Sequence, residues 1–222
     1  MNDLDRHVEG AARAHQVLLA RLEELGDEEG GRPSLLPDWP SLLPDWTVGH
    51  VLSHLASNAD SHTRMIEAAC RGEVAEQYVG GRDGRAREIA ERAGLSAVEL
   101  VSLVRRSIWR LEGAWATCTA EGWQGTGNTV AGPAPIHDLP FRRWRETVVH
   151  HADLGLGYTW HDWPAEYVRF ELPRVTMLWS SRRPMGLTEL PAAAMQVPDA
   201  QRVAWLLGRA EIDGLAAAEV FG

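Results

Sequence analysis

A chain of 222 residues, 45% apolar and with 10 tryptophans, can build one large domain, or one domain with a small appendage, around a well-filled core. Its net charge of -9 argues against nucleic acid or an anionic membrane as a partner, so an anionic substrate would need local arginines to hold it. Lysine is absent, and every Lys-or-Arg position is arginine. No leader-like segment and no long apolar run is visible, and the expectation is a cytoplasmic protein. Cys70 and Cys118 lack metal-ligand spacing and read as reduced thiols, with a disulfide left open.

Taken in order, residues 3 to 25 carry Leu4, Val8, Ala11, Ala12, Leu18, Leu19, Leu22 and Leu25 at helical spacing, and Gly26 stops the run. Ser34-Leu35-Leu36-Pro37-Asp38-Trp39-Pro40 is then repeated as Ser41-Leu42-Leu43-Pro44-Asp45-Trp46. The second copy runs into a helix with Thr47 as its N-cap, whereas the first reads as an insertion tolerated in a surface loop. That helix extends from about Val48 to Cys70 and carries His50, His54 and His62. Tyr78 to Ile89 begins as a glycine-rich loop and becomes a charged helix with Arg82, Arg85 and Arg87; its spacing matches no phosphate-binding loop.

Ser96 and Glu99 form a capping box for a helix to about Cys118, with Val98, Val101, Val104, Ile108, Leu111 and Trp115 as its core stripe. Residues 121 to 139 read as a long irregular connection of the kind that often serves as a lid. Pro140 opens a fourth bundle helix that ends near Gly155. After Trp163-Pro164 the character changes. A helix over 165 to 180, one or two strands within 185 to 198 and a helix over 199 to 213 make a small α+β unit. The expectation is therefore mainly α: a helix bundle over 1–160 and a small C-terminal domain over 165–222.

The chemistry concentrates in Arg143 to Gly155. Glu146 and His150 stand four apart, so a helix projects them from one face. A carboxylate and an imidazole at that spacing make half of a metal site. His54, set among Val51, Leu52 and Leu55, is placed to complete it from a facing helix. Two histidines and a glutamate leave a fourth zinc position open, as in catalytic sites. His50, one turn before His54, is a rival ligand or a group that orients one.

Four blocks resemble the mycothiol-dependent maleylpyruvate isomerase family, whose bundle is DinB-like: Leu43 to Ala56, Tyr78 to Ile89, Arg145 to Gly155, and Trp205-Leu206-Leu207-Gly208-Arg209. The resemblance implies zinc or another divalent metal on His54, Glu146 and His150, the trio that spacing also reaches. Asp153, one turn beyond His150, is a candidate to orient a ligand imidazole or else a cap of the helix end, and the resemblance makes Arg209 a substrate contact. The implied reaction converts maleylpyruvate to fumarylpyruvate with mycothiol. A metal-bound thiolate adds to the alkene, the bond rotates, and elimination restores the trans isomer, with Arg82 and Arg209 facing the enolate. A small anionic substrate and a small thiol are then the partners. Two other readings stay open: a thiol S-transferase on the same scaffold, and a non-catalytic module braced by metal, which a four-ligand site completed by His50 would favour. Hydrolysis by a serine nucleophile has no Gly-x-Ser-x-Gly to support it.

Overall fold

The computed structural model describes residues 2–26, 35–182, 189–218 and 220, and divides into two compact units, Met1–Gly155 and Leu156–Gly222. In the first unit four long helices close a ring: α1 (Asp3–Gly26), α2 (Val48–Cys70), α4 (Ala97–Thr117) and α6 (Leu139–Asp153). α1 packs on α4 and α6, and α2 packs on the same two helices from the other side. The short charged helix α3 (Gly81–Ala93) lies on α2, as does the helical turn α5 (Ala120–Trp123). This is the mainly α bundle that the helical periodicity predicts.

Each helix buries the face its spacing dictates. On α1 the buried set is His7, Gly10, Ala11, Ala14, His15, Leu18, Leu22 and Leu25, one face at helical spacing. Gly10 is close to α6 because nothing larger fits: a Cβ there would lie 2.4 Å from the Trp144 ring. α2 is covered on nearly all sides, and its small residues Gly49, Ser53, Ala56, Ser57, Ala59 and Ser61 let neighbours approach closely. α4 starts on the Ser96–Glu99 capping box as expected, but Val98 is 80% exposed and Leu100 leads the core stripe instead.

A buried polar tie runs through all four helices. Arg143 on α6 donates from Nε to His15 Nε2 at 2.9 Å, and from Nη1 to Leu55 O and Asn58 Oδ1 at 2.8 and 3.0 Å. Because His15 Nε2 accepts that bond, its Nδ1 carries the proton and donates to Glu112 Oε1 at 2.8 Å. Burial lowers His15 to about 4, which keeps the ring neutral and able to accept from the arginine. The tie fixes the rotation of α6 one turn before Glu146.

The connection over 121–139 is ordered rather than irregular. After α5 comes an antiparallel hairpin, β1 (Thr126–Thr129) and β2 (Gly132–Pro135), with Thr126 opposite Pro135 and Thr129 opposite Gly132. Gly127 lets β1 close on α2, since a Cβ there would meet Met65 at 2.4 Å.

In the second unit, α7 (Ala165–Ser181) packs on α9 (Asp199–Leu206), burying Tyr167, Val168, Val175 and Trp179 in one helix and Val203 to Leu206 in the other. Trp205 Nε1 donates to Ala216 O at 3.0 Å, and the Arg202 side chain donates to Ala194 O and Val197 O. Of the stretch expected to hold strands, 185–188 lies outside the described residues, and 189–198 contains the helical turn α8 (Ala192–Met195). The strands of the described residues are those of the hairpin in the first unit.

The described residues of the two copies, 35–40 and 41–46, have definite positions. Carbonyls of the first copy, Trp39 O and Pro37 O, accept from Val48 N and Gly49 N at 2.9 and 2.8 Å, two of the free N–H groups at the start of α2. A bridge pairs Pro40 with Thr47, so the second copy loops out between them. The expectation that the first copy is an idle insertion is thus corrected. Thr47 is the N-cap of α2, as predicted.

Candidate metal centre

The fold brings His54, Glu146 and His150 together, one ligand atom from each lying within 4.8 Å of the others. His54 Nε2 is 2.7 Å from Glu146 Oε2, and His150 Nε2 is 3.4 Å from the same oxygen. His54 projects from the middle of α2, while Glu146 and His150 are stacked one turn apart on α6. The three nitrogen and oxygen atoms converge on one point, from two helices held in register by the Arg143 tie. Two imidazoles and a carboxylate form a donor set suited to zinc, and three protein ligands leave its usual fourth position to another ligand.

The protons are distributed unevenly. Burial is the largest influence on His54 and lowers it to about 4, against the pull of Glu146. Burial also opposes charge on His150, but hydrogen bonds to Asp153 and Glu146 outweigh it and raise that ring to about 9. Glu146 would be pushed up by burial, yet its bonds to His150 and His54 hold it well below the ordinary carboxylate range. Without metal, a proton on His150 therefore sits where a cation would bind.

Asp153, expected to orient a ligand imidazole, lies against His150. Its Oδ2 accepts from His150 Nδ1 at 2.8 Å, fixing the ring so that Nε2 faces the centre. His50 is placed otherwise: its Nδ1 accepts from Thr47 N at 3.2 Å, within the capping box of α2. Arg82 donates to Val130 O in the hairpin turn at 3.4 Å, and it is Arg85 that reaches the trio, with Nη2 3.0 Å from His54 Nδ1. Arg209 belongs to the second unit, where Nη1 donates to Leu207 O at 2.6 Å.

Three side chains beside the trio escaped the sequence reading. The Arg85 guanidinium lies 5.9 Å from the Trp46 ring centre and 6.0 Å from that of Tyr78, in the range of cation–π attraction. Trp46 also meets His54 edge-on, at 5.8 Å between ring centres. Burial raises Tyr78, which keeps its hydroxyl protonated. Trp46 precedes the N-cap Thr47 and lies outside the helix, so helical spacing carried no signal for it.

Residues 40–155 match the family described as the mycothiol maleylpyruvate isomerase N-terminal domain. The chain belongs to this family. Two crystal structures are similar to it, those of the mycothiol-dependent maleylpyruvate isomerase and of a histidine-to-alanine mutant of that enzyme. Their TM-scores are 0.77 and 0.79, each at 25% identity, covering 93% of this chain and 89% of the other. Comparison with curated proteins gives no match. The match spans three of the four sequence blocks, Leu43 to Ala56, Tyr78 to Ile89 and Arg145 to Gly155. No helix among the described residues is long and apolar enough to cross a membrane.

Proposed function

We propose that this member of the family is a cytoplasmic, metal-dependent isomerase that converts maleylpyruvate to fumarylpyruvate with mycothiol. The observation that carries the reading is the convergence of His54, Glu146 and His150 on one point, with Asp153 behind His150. These three would hold zinc or another divalent ion, which lowers the proton affinity of a thiol brought to it, and the thiol supplies the nucleophile whose reversible addition frees the double bond to rotate.

The chain's own residues prepare that chemistry. Asp153 holds the Nδ1 proton of His150 and so reserves Nε2 for the centre. Burial keeps His54 neutral, the form in which an imidazole nitrogen can donate its electron pair. Arg85 contributes a positive charge next to His54, where negative charge developing on a substrate carbonyl would be stabilised. Trp46 and Tyr78 flank that guanidinium and limit its motion. The role given to Arg209 rests on the family resemblance, and that given to Arg82 on the need of the enolate for a positive partner.

The test follows maleylpyruvate by NMR with zinc-loaded protein, with and without mycothiol. Fumarylpyruvate formed only when both are present supports the proposal, and His54→Ala should abolish zinc binding and turnover together. Turnover retained in a metal-free variant would sink the mechanism. Accumulation of a stable thiol conjugate would replace isomerisation with S-transfer.

A further inference from the structure

Away from the metal centre, the chain's two cysteines meet. Cys70 is the last residue of α2 and Cys118 caps the end of α4, and their Sγ atoms are 3.4 Å apart. Both are half-buried at the ends of their helices. The segment above the pair makes room for it: a Cβ on Gly122 of α5 would lie 2.6 Å from Cys70 Sγ and 2.9 Å from Cys118 Sγ. A side chain at Gly122 would force the sulfurs apart or move the turn.

We propose that Cys70 and Cys118 form a thiol–disulfide exchange site that reduces a low-molecular-weight disulfide. In the first step the Cys70 thiolate attacks one sulfur of the disulfide RSSR, and RS⁻ leaves and takes up a proton. In the second step Cys118 gives up its proton and its sulfur attacks Cys70 Sγ, expelling the second RS⁻. Two thiols of the protein become one intrachain disulfide, and RSSR becomes two RSH. Burial and the hydrogen shared with Cys70 push Cys118 up to about 12, so one sulfur of the pair keeps its proton while the other attacks. The site uses none of the residues of the metal centre, and it stands whether or not the isomerase reading does.

The experiment exposes the reduced, full-length protein to glutathione disulfide as probe, followed by intact-mass measurement and thiol counting. The expected product has no free thiol, a mass lower by two hydrogens, no attached glutathione and monomeric mobility, all reversed by dithiothreitol. Cys118→Ser should stop at a stable glutathione adduct on Cys70, while Cys70→Ser should react at least about tenfold more slowly. Wild-type protein that keeps both thiols, carries two glutathiones or cross-links into dimers would overturn the proposal. So would a Cys118→Ser variant that forms no adduct.

Discussion

Zinc should bind with release of a proton from His150, and the pH dependence of affinity measures it. His150 is raised to about 9 by Asp153 and Glu146, whereas an unperturbed imidazole titrates near 6.5. Near pH 7 the ring is almost fully protonated, so a metal must displace that proton and the apparent affinity lies roughly 100-fold below its high-pH plateau. The sign follows directly: affinity rises about tenfold per pH unit through neutrality and levels off above about pH 9. Competition against a chromophoric chelator gives the slope, and calorimetry in buffers of different ionisation enthalpy counts the protons. Near pH 8 the release is ~0.9 per zinc, and Asp153→Asn should bring it well under ~0.5 because the charge that holds the proton is gone. The same variant loses about 10- to 100-fold in affinity on the plateau, where only the orientation of the ring matters. At neutral pH the two effects oppose each other, so the slope rather than a single affinity carries the information. Affinity independent of pH, or equal proton release in both proteins, would refute the reasoning.

Glu146→Gln removes the anionic ligand that faces both imidazoles at 2.7 and 3.4 Å, and zinc affinity should fall by more than the roughly 100-fold expected for a supporting partner; retention of stoichiometric zinc through gel filtration would contradict this. Metallation of His54 at Nε2 places its proton on Nδ1, where an Arg85 N–H already points from 3.0 Å. Arg85→Met should therefore bind zinc more tightly, by about tenfold at most, and weaker binding would show that Arg85 supports the ligand. A Cβ on Gly49 would lie 2.2 Å from Ala93 O, so Gly49→Ala should cost about 1–3 kcal/mol in urea unfolding, and an unchanged midpoint would mean that α3 yields freely.

The site was legible where it follows helical period and obscure where it depends on helix rotation. Glu146 and His150 share a face at any rotation of α6, and the apolar neighbours of His54 turn it inward, so spacing reached the trio. Which arginine of α3 enters the site depends on how that helix is rotated. Gly80 and Gly81 set that rotation with φ of 78° and 62°, values that spacing does not reveal. Arg143 hides in an arginine-rich run that reads as surface, and only the polar tie explains its complete burial. The hairpin eluded the strand pattern because Gly127, Gly132, Pro133 and Pro135 interrupt any alternation.

The duplicated segment offers a case where magnitudes separate two accounts. An idle insertion should be removable at almost no cost, because loop length affects closure only weakly. Deleting Leu35 to Ser41 leaves a single copy joined directly to Thr47. That copy must occupy the second position, where Leu42 N donates to Asp153 O at 2.8 Å and Trp46 meets His54. The first position then stands empty. Buried Leu35 and the two carbonyls that accept from Val48 and Gly49 are lost together. A buried leucine contributes about 1.5–3 kcal/mol and each hydrogen bond about 0.5–1.5. After partial relaxation the deletion should cost about 2–4 kcal/mol in urea unfolding, with zinc affinity changed less than about threefold. Neutral stability would restore the idle insertion. Lost zinc binding with stability intact would instead place the first copy in control of how the second meets His54.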